Sequence, residues 1–242
     1  MNKLNNIIQL PLDFPHRPSL GREDFMVAKC NHEAVNIIDL WPNWPCFSIC
    51  VYGPEGCGKT HLANVFAQIV AVKTNHPYRI PFLKANQINK KTSNTIFEIS
   101  PQIVIEDLQD LKDQESLFHI YNTYRDCGGN ILFTATEAPA RLKFSLPDLR
   151  SRMNIIPALE IKSPDDDLLM SLLVKLFMDR QITPSPELIS YLMKNMHRSF
   201  SFARKLVEEI DNISLAKKRA INITIAKEAL ETLNSNLQFN LF

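Results

Sequence analysis

Eight consecutive residues, Gly53-Pro54-Glu55-Gly56-Cys57-Gly58-Lys59-Thr60, match the pattern G-x-x-x-x-G-K-[ST]. Glycines let a backbone wrap an anion with its N–H groups, the lysine reaches β- and γ-phosphates, and the threonine hydroxyl stands where it can ligate Mg²⁺. A glycine-rich turn without a ligand has the same wording, so the flanks decide. Phe47-Ser48-Ile49-Cys50-Val51-Tyr52 reads as a buried strand before the loop, and His61-Leu62-Ala63-Asn64-Val65-Phe66-Ala67 reads as a helix after it. Strand, loop and helix in that order point to binding of a nucleoside triphosphate or diphosphate, with Mg²⁺ at Thr60.

Such a loop needs a carboxylate at the end of a neighbouring strand for the metal and a second polar group to orient the attacking water. Ile103-Val104-Ile105-Glu106-Asp107 supplies the pair, with Glu106 expected next to the metal and Asp107 on the water. Glutamate is a methylene longer than the usual aspartate, which leaves hydrolysis in this chain's own site open. Ile131-Leu132-Phe133-Thr134-Ala135-Thr136 ends in hydroxyls that either sense a γ-phosphate, with Thr136 the candidate, or are ordinary strand threonines. Arg150 and Arg152, in Leu146-Pro147-Asp148-Leu149-Arg150-Ser151-Arg152, fall just before the last expected strand. An arginine there either reaches a nucleotide held by a neighbouring subunit or makes a surface salt bridge.

The elements that must position these groups alternate. Strand-like runs at 47–52, 78–83, 102–105, 131–135 and 155–161 are separated by helical stretches. That alternation predicts an α/β fold, a parallel five-stranded sheet flanked by helices. Beyond Ser163 only helices are expected, at 168–180, 188–196, 202–216 and 224–233, forming a small all-helical lid. Ser163-Pro164-Asp165-Asp166 and Ser185-Pro186-Glu187 each place a capping hydroxyl before a proline at the first helical position. Leu169, Leu172, Leu173 and Leu176 read as lid core. Pro11, Pro15 and Pro18 are too closely spaced for a helix. The expected divisions are therefore an extended arm over 1–20, the nucleotide-binding domain over 21–162, the lid over 163–233 and a tail over 234–242.

The chain has 242 residues, 45% hydrophobic, with a formal net charge of +1, so no global basic excess argues for duplex DNA as the main partner. Its five cysteines and six histidines show no metal-ligand spacing, and reduced cytosolic thiols are the plain reading. No apolar run approaches the ~18 residues of a membrane span, and no signal-peptide pattern opens the chain, so a cytoplasmic location is expected.

Taken together and in order, these motifs resemble the AAA+ class and, within it, the DnaA branch, from about Phe25 to Leu233. Phe25-Met26-Val27-Ala28-Lys29-Cys30-Asn31-His32-Glu33-Ala34 is similar to that branch's adenine-pocket segment, which implies nucleotide contacts at Val27 and Asn31. Gly58 to His61 carries the branch's usual Gly-Lys-Thr-His wording and adds His61 to the binding set. Leu146-Pro147-Asp148-Leu149 followed by Ser151-Arg152 is similar to the arginine-finger box, which makes Arg152 the finger acting in trans. The branch's second sensor arginine aligns at Ser201, with Arg198 and Arg204 each one turn away; Arg204 is taken as the candidate.

Gln9-Leu10-Pro11-Leu12-Asp13-Phe14 looks like the peptide by which proteins dock on the DNA polymerase sliding clamp, which implies clamp contacts at Gln9, Leu10, Leu12 and Phe14. Gln238-Phe239-Asn240-Leu241-Phe242 fits the same spacing. It is either an apolar tail packing on the lid or a second clamp ligand through Gln238, Leu241 and Phe242. Clamp peptide, DnaA-like module and no helix-turn-helix domain after the lid resemble the Hda family. That family implies an ADP- or ATP-holding negative regulator of replication initiation that meets DNA mainly through the clamp and promotes hydrolysis of the ATP held by DnaA. Its own ATPase activity is expected to be weak or absent, and self-association is a feature of the class. Two readings compete. A DnaC-like helicase-loader ATPase on single-stranded DNA needs a basic groove or stacking aromatics, for which Lys90-Lys91 and Lys217-Lys218-Arg219 are scattered material. A small-molecule kinase is disfavoured by the helical lid and the Leu146 to Arg152 box.

Overall fold

A computed structural model describes residues 25–74 and 80–239. Strands β1 (Ser48–Tyr52), β2 (Phe82–Lys84), β3 (Gln102–Glu106), β4 (Asn130–Ala135) and β5 (Ala158–Glu160) form one sheet in the order β2-β3-β4-β1-β5. Every pairing is parallel. The three inner strands are buried on both faces, which is why they read as unbroken apolar runs. Their alternation assigns the faces. Ile103, Ile105, Ile131 and Phe133 pack with α3 (Lys90–Ile99), α4 (Gln114–Asp126) and α5 (Pro147–Ile155). Ile49, Val51, Val104 and Leu132 pack with α1 (His32–Asp39) and α2 (Lys59–Thr74) on the opposite side. β1 lies inside the sheet, between β4 and β5, so the loop that leaves it opens at the carboxyl edge of the strands.

The all-helical half follows as α6 (Asp166–Met178), α7 (Pro186–Asn195), α8 (Phe200–Lys217) and α9 (Ile223–Phe239). Its core is built by Leu169, Leu173 and Phe177 of α6, Leu192 of α7, Leu206 and Ile210 of α8, and Ala226 and Ala229 of α9. The expected core leucines 169, 172, 173 and 176 are all buried there. Among the described residues no helix is long and apolar enough to cross a membrane.

Several boundaries differ from the sequence expectation for local reasons. β2 starts at Phe82, because Pro81 has no N–H and offers only its carbonyl, which accepts from Val104 N–H at 3.0 Å. Residues 78 and 79 of the expected strand lie outside the described residues. β5 is cut to three residues: α5 runs on to Ile155, and Pro157, whose carbonyl accepts from Cys50 N–H at 2.9 Å, marks the turn into the strand. The cap of α6 is Asp165, whose carboxylate accepts from Leu168 N–H at 2.9 Å, in place of the expected Ser163. A carboxylate at that position satisfies an orphan amide and also suits the helix dipole. Ser185 does cap α7, with Pro186 first in the helix. α9 continues to Phe239, through much of the segment read as a tail.

Two substitutions separate capping from packing in the lid. Ser185→Ala should cost about 1 kcal/mol, and Leu173→Ala, at a fully buried position, roughly 2–5 kcal/mol. Urea unfolding followed by circular dichroism reads both; equal costs would contradict the assignment.

Candidate functional site

The loop between β1 and α2 is held by its backbone before any ligand is considered. Gly53 N–H donates to Ala135 O at 3.2 Å, tying the loop to β4. Lys59 Nζ donates to the carbonyls of Gly53 at 2.7 Å and Pro54 at 2.8 Å, so the ammonium is stationed across the mouth of its own loop. Behind it, the first amides of α2 have no intrahelical acceptor and carry the positive end of a 16-residue helix. Gly53 admits no side chain, since a Cβ would stand 2.1 Å from Ile161 O. Gly56 has φ +73°, and a Cβ there would stand 2.3 Å from Ser201 Oγ. Its carbonyl accepts from Ser201 N–H at 3.3 Å, so the lid sits directly on the loop. Cys57 is buried below the loop, and burial pushes its thiol up, against a smaller opposing effect of Lys59.

Loop and lid enclose a cavity of about 400 Å³. One part of its wall is apolar, made by Phe25, Met26, Leu172 and Phe200; another is polar, made by Lys59, Thr60, Asp107 and Arg204. An apolar slot beside an anion cradle suits a flat heteroaromatic base joined to phosphates. His61 lies on the wall with Phe25 edge-on at 5.0 Å and Arg204 Nη2 3.4 Å from its Nδ1.

The segment before α1 behaves differently from its expected role. Asn31 is buried and lines the cavity, but its amide is committed to the chain: Oδ1 accepts from Ala28 N–H and Nδ2 donates to Met26 O, both at 2.8 Å. It shapes the segment that presents Met26. Val27 is 47% exposed and lies outside the cavity lining, where Phe25 and Met26 stand. The sequence motifs do not single out Phe25, Met26, Leu172 and Phe200 as contacts. Apolarity alone does not separate a wall from a core, and Leu172 serves both.

The acidic pair is divided by its backbone. β3 ends at Glu106, and Asp107 turns into the left-handed region at φ 58°, ψ 52°, with its N–H donated to the Thr134 hydroxyl at 3.2 Å. Asp107 faces the cavity; Glu106 is outside its lining, and its Oε1 is buried with no hydrogen-bond partner among the described residues. An aspartate held left-handed at a strand end is the kind of strain that clusters at functional sites. Thr134, not Thr136, is the hydroxyl tied to the acidic pair. Thr136 lies outside the cavity lining, and its N–H is accepted by Gln109 Oε1 at 3.0 Å. No group of three or more His, Cys, Asp or Glu capable of holding a metal occurs among the described residues. A Mg²⁺ that keeps waters and phosphate oxygens needs only one or two protein ligands, and Thr60, Asp107 and the orphaned Glu106 oxygen suit that requirement.

Of the lid positions aligned with the sensor, Arg204 is the arginine on the cavity wall, Ser201 in α8 also lines the cavity and donates to the loop's Gly56 carbonyl, and Arg198 pairs with Asp166 at 2.6 Å on the surface. Arg150 is exposed and Arg152 half-exposed on α5, both outside the cavity lining. Neither side chain forms a hydrogen bond or ion pair with any described residue. Gln9, Leu10, Leu12 and Phe14, together with Leu241 and Phe242, lie outside the described residues; Gln238 is placed only as backbone of α9.

The sequence matches the family profile of the bacterial DnaA ATPase domain over residues 19–158, more than half of the chain. It is 25% identical over 202 residues to the chromosomal replication initiator protein DnaA of Lachnoclostridium phytofermentans, covering 76% of this chain and 44% of that protein. To the DnaA of Spiroplasma citri it is 29% identical over 176 residues, 62% of this chain and 38% of the other. The chain thus spans about two fifths of the length of these curated relatives. An uncharacterized protein of Haemophilus influenzae is 23% identical over 185 residues, 74% of this chain and 80% of its own length. Among solved structures, domain III of the Thermotoga maritima replication initiation protein DnaA superposes with a TM-score of 0.77 at 19% identity, covering 89% of this chain and 97% of that one. A replication initiator DnaA bound to AMPPCP and single-stranded DNA gives 0.67 at 20% identity, with 83% and 69% covered. The Thermotoga maritima RuvB branch migration motor gives 0.64 at 17%, with 84% and 70% covered. At these identities the likeness establishes the fold, the AAA+ arrangement of a five-stranded parallel sheet flanked by helices.

The seating of the lid on the loop can be read by thiol chemistry. The thiolate is the reactive form, so near pH 8 iodoacetamide should label exposed Cys127 first, and buried Cys50 and Cys57, both pushed up by burial, far more slowly. Gly56→Ala should speed labelling of Cys57 by unseating Ser201, as read by mass spectrometry of the alkylated peptides. Equal rates at Cys57 in the two proteins would contradict the contact.

Proposed function

The chain belongs to the bacterial DnaA ATPase-domain family, and on that premise we propose that it is an Hda-like negative regulator of replication initiation, holding an adenine nucleotide and acting on the ATP of DnaA. The observation that supports this reading is the separation of a cavity and an arginine on one fold. The cavity has its own loop, lysine and lid arginine, while Arg152 stands outside it on α5, half-exposed and with no ion pair among the described residues. An arginine held away from its own chain's site is available to one on a partner.

In this reading ADP or ATP lies with its base against Phe25, Met26, Leu172 and Phe200 and its phosphates on the 53–60 loop. The loop amides, Lys59 and Arg204 neutralise the phosphate charge, and closure of the lid keeps water away from it. Mg²⁺, held with Thr60 and the Glu106–Asp107 pair, would supply charge neutralisation at the phosphate oxygens. The order of the acids, with Asp107 facing the cavity and Glu106 behind it, favours holding over rapid hydrolysis. Residues Gln9, Leu10, Leu12 and Phe14 dock the arm in the sliding clamp's peptide groove. Gln238, Leu241 and Phe242 provide a second, weaker clamp contact, and DNA is met mainly through the clamp. The protein works in the cytoplasm beside the replication machinery. The guanidinium of Arg152, delivered to DnaA, stabilises the charge that develops on the transferring phosphoryl group, an effect worth roughly 10³ to 10⁵ in rate.

The test is hydrolysis of ATP pre-bound to DnaA, with and without this protein and DNA-loaded clamp. The expected result is a clamp-dependent acceleration, lost in Arg152→Ala and in the Gln9→Ala, Leu12→Ala, Phe14→Ala variant. No acceleration by folded, nucleotide-loaded protein would reject the reading and favour a loader-type ATPase on single-stranded DNA.

A further inference from the structure

The helix that carries Arg152 lacks a start of its own. α5 begins at Pro147, which has no N–H, and its N-cap position is Leu146, whose side chain can cap nothing. Leu146 N–H is instead accepted by Gln114 Oε1 at 2.9 Å, and the Ser145 hydroxyl donates to the same oxygen at 3.1 Å. A backbone N–H can only donate, so the acceptor on Gln114 is its oxygen. Gln114 is the first residue of α4, and its place is fixed: the preceding Asp113 caps that helix through Ser116 N–H at 2.9 Å and Ser116 Oγ at 2.7 Å.

α5 is otherwise held by Leu149 and Met153 in the core. Apolar contacts resist lifting a helix more than they resist its sliding or rotating, because they carry little directionality. A hydrogen bond to the N-cap amide is directional. It fixes where α5 starts, and Arg152 lies five residues on from Pro147, about 7.5 Å along the axis. The same connecting segment reaches the nucleotide cavity at its other end through Asp107, and on the way Gln109 Oε1 accepts from Thr136 N–H at 3.0 Å.

We propose that Gln114 is the positioning residue for the arginine finger: its Oε1, by accepting from Leu146 N–H and Ser145 Oγ–H, sets the register of α5 and hence the place from which Arg152 reaches the partner's nucleotide. This rests on the reading of Arg152 given above, and Gln114 itself touches no nucleotide. Because both contacts need only an acceptor, a carboxylate can replace the amide, while a thioether of the same length is only a weak acceptor.

The experiment compares Gln114→Met with Gln114→Glu in the full chain, using DnaA loaded with ATP and DNA-loaded clamp, over a concentration series of this protein. Gln114→Met should lower the maximal acceleration roughly tenfold or more, the scale of a small misplacement of a catalytic group. Its half-saturating concentration should stay within about twofold of wild type, since the docking surfaces are untouched. Gln114→Glu should restore the maximal rate, and Gln114→Met should add nothing to Arg152→Ala. A wild-type maximal rate in Gln114→Met, a loss that adds to Arg152→Ala, or a Gln114→Glu variant as poor as Gln114→Met would each overturn the proposal. Acceleration by wild type together with an unimpaired Gln114→Met rejects the role of Gln114 alone. A wild-type protein that accelerates nothing rejects the finger reading, and this inference with it.

Discussion

The hydrogen bond from Ser201 N–H to Gly56 O joins the two halves of the molecule at the centre of the phosphate loop, and the arrangement of the cavity follows from it. The approach is possible because position 56 has no side chain. Once Ser201 is seated, helical spacing does the rest. Phe200 and Arg204 are four residues apart on α8 and share a face, so one adds to the apolar wall and the other comes to the phosphate side. Phe202, Ala203, Leu206, Val207 and Ile210 occupy the buried face and hold α8 in the lid core. α8 thus has two interfaces of different kind, an apolar one that fixes it within the lid and a polar one that closes the site.

The sheet supplies the complementary half. Because β1, β3 and β4 are adjacent and parallel, their carboxyl ends deliver the phosphate loop, the Glu106–Asp107 pair and Thr134 to one edge. Thr134 then holds the Asp107 amide, which keeps the left-handed turn that swings that carboxylate into the cavity. From the same edge residues 107–114 carry Gln109, whose Oε1 accepts from Thr136 N–H, and Gln114, whose Oε1 accepts from Leu146 N–H at the start of α5. The cavity wall at Asp107 and the helix that bears Arg152 are thus joined by side-chain to main-chain hydrogen bonds.

Much of this was legible in the sequence where one signal sufficed. The strand, loop and helix around residues 47–67 and the parallel sheet follow from apolar runs and from a glycine pattern set between a strand and a helix. Legibility ended where a backbone departed from its local rule. Strand alternation puts Glu106 and Asp107 on opposite faces, but nothing in the letters says that Asp107 turns left-handed and takes the cavity side. Asn31 was found by resemblance, yet its amide is consumed by Ala28 and Met26, so its effect is indirect. Val27 and Met26 are neighbours of similar character, and only the fold decides which faces in. Asp165 displaced Ser163 as the cap because both are capping types two residues apart. Gln114 could not have been found at all, since its partner is 32 positions away and a polar residue at the start of a helix has many uses.

The central claim is that this chain carries its finger to another protein's nucleotide. The most direct measurement is the structure of its complex with DnaA loaded with AMPPCP on a DNA-bound clamp. The account predicts the Arg152 guanidinium within hydrogen-bonding distance of the γ-phosphate held by DnaA, with a nucleotide of its own under the closed lid. An interface that leaves Arg152 in solvent, or a γ-phosphate met by a different residue of this chain, would contradict it.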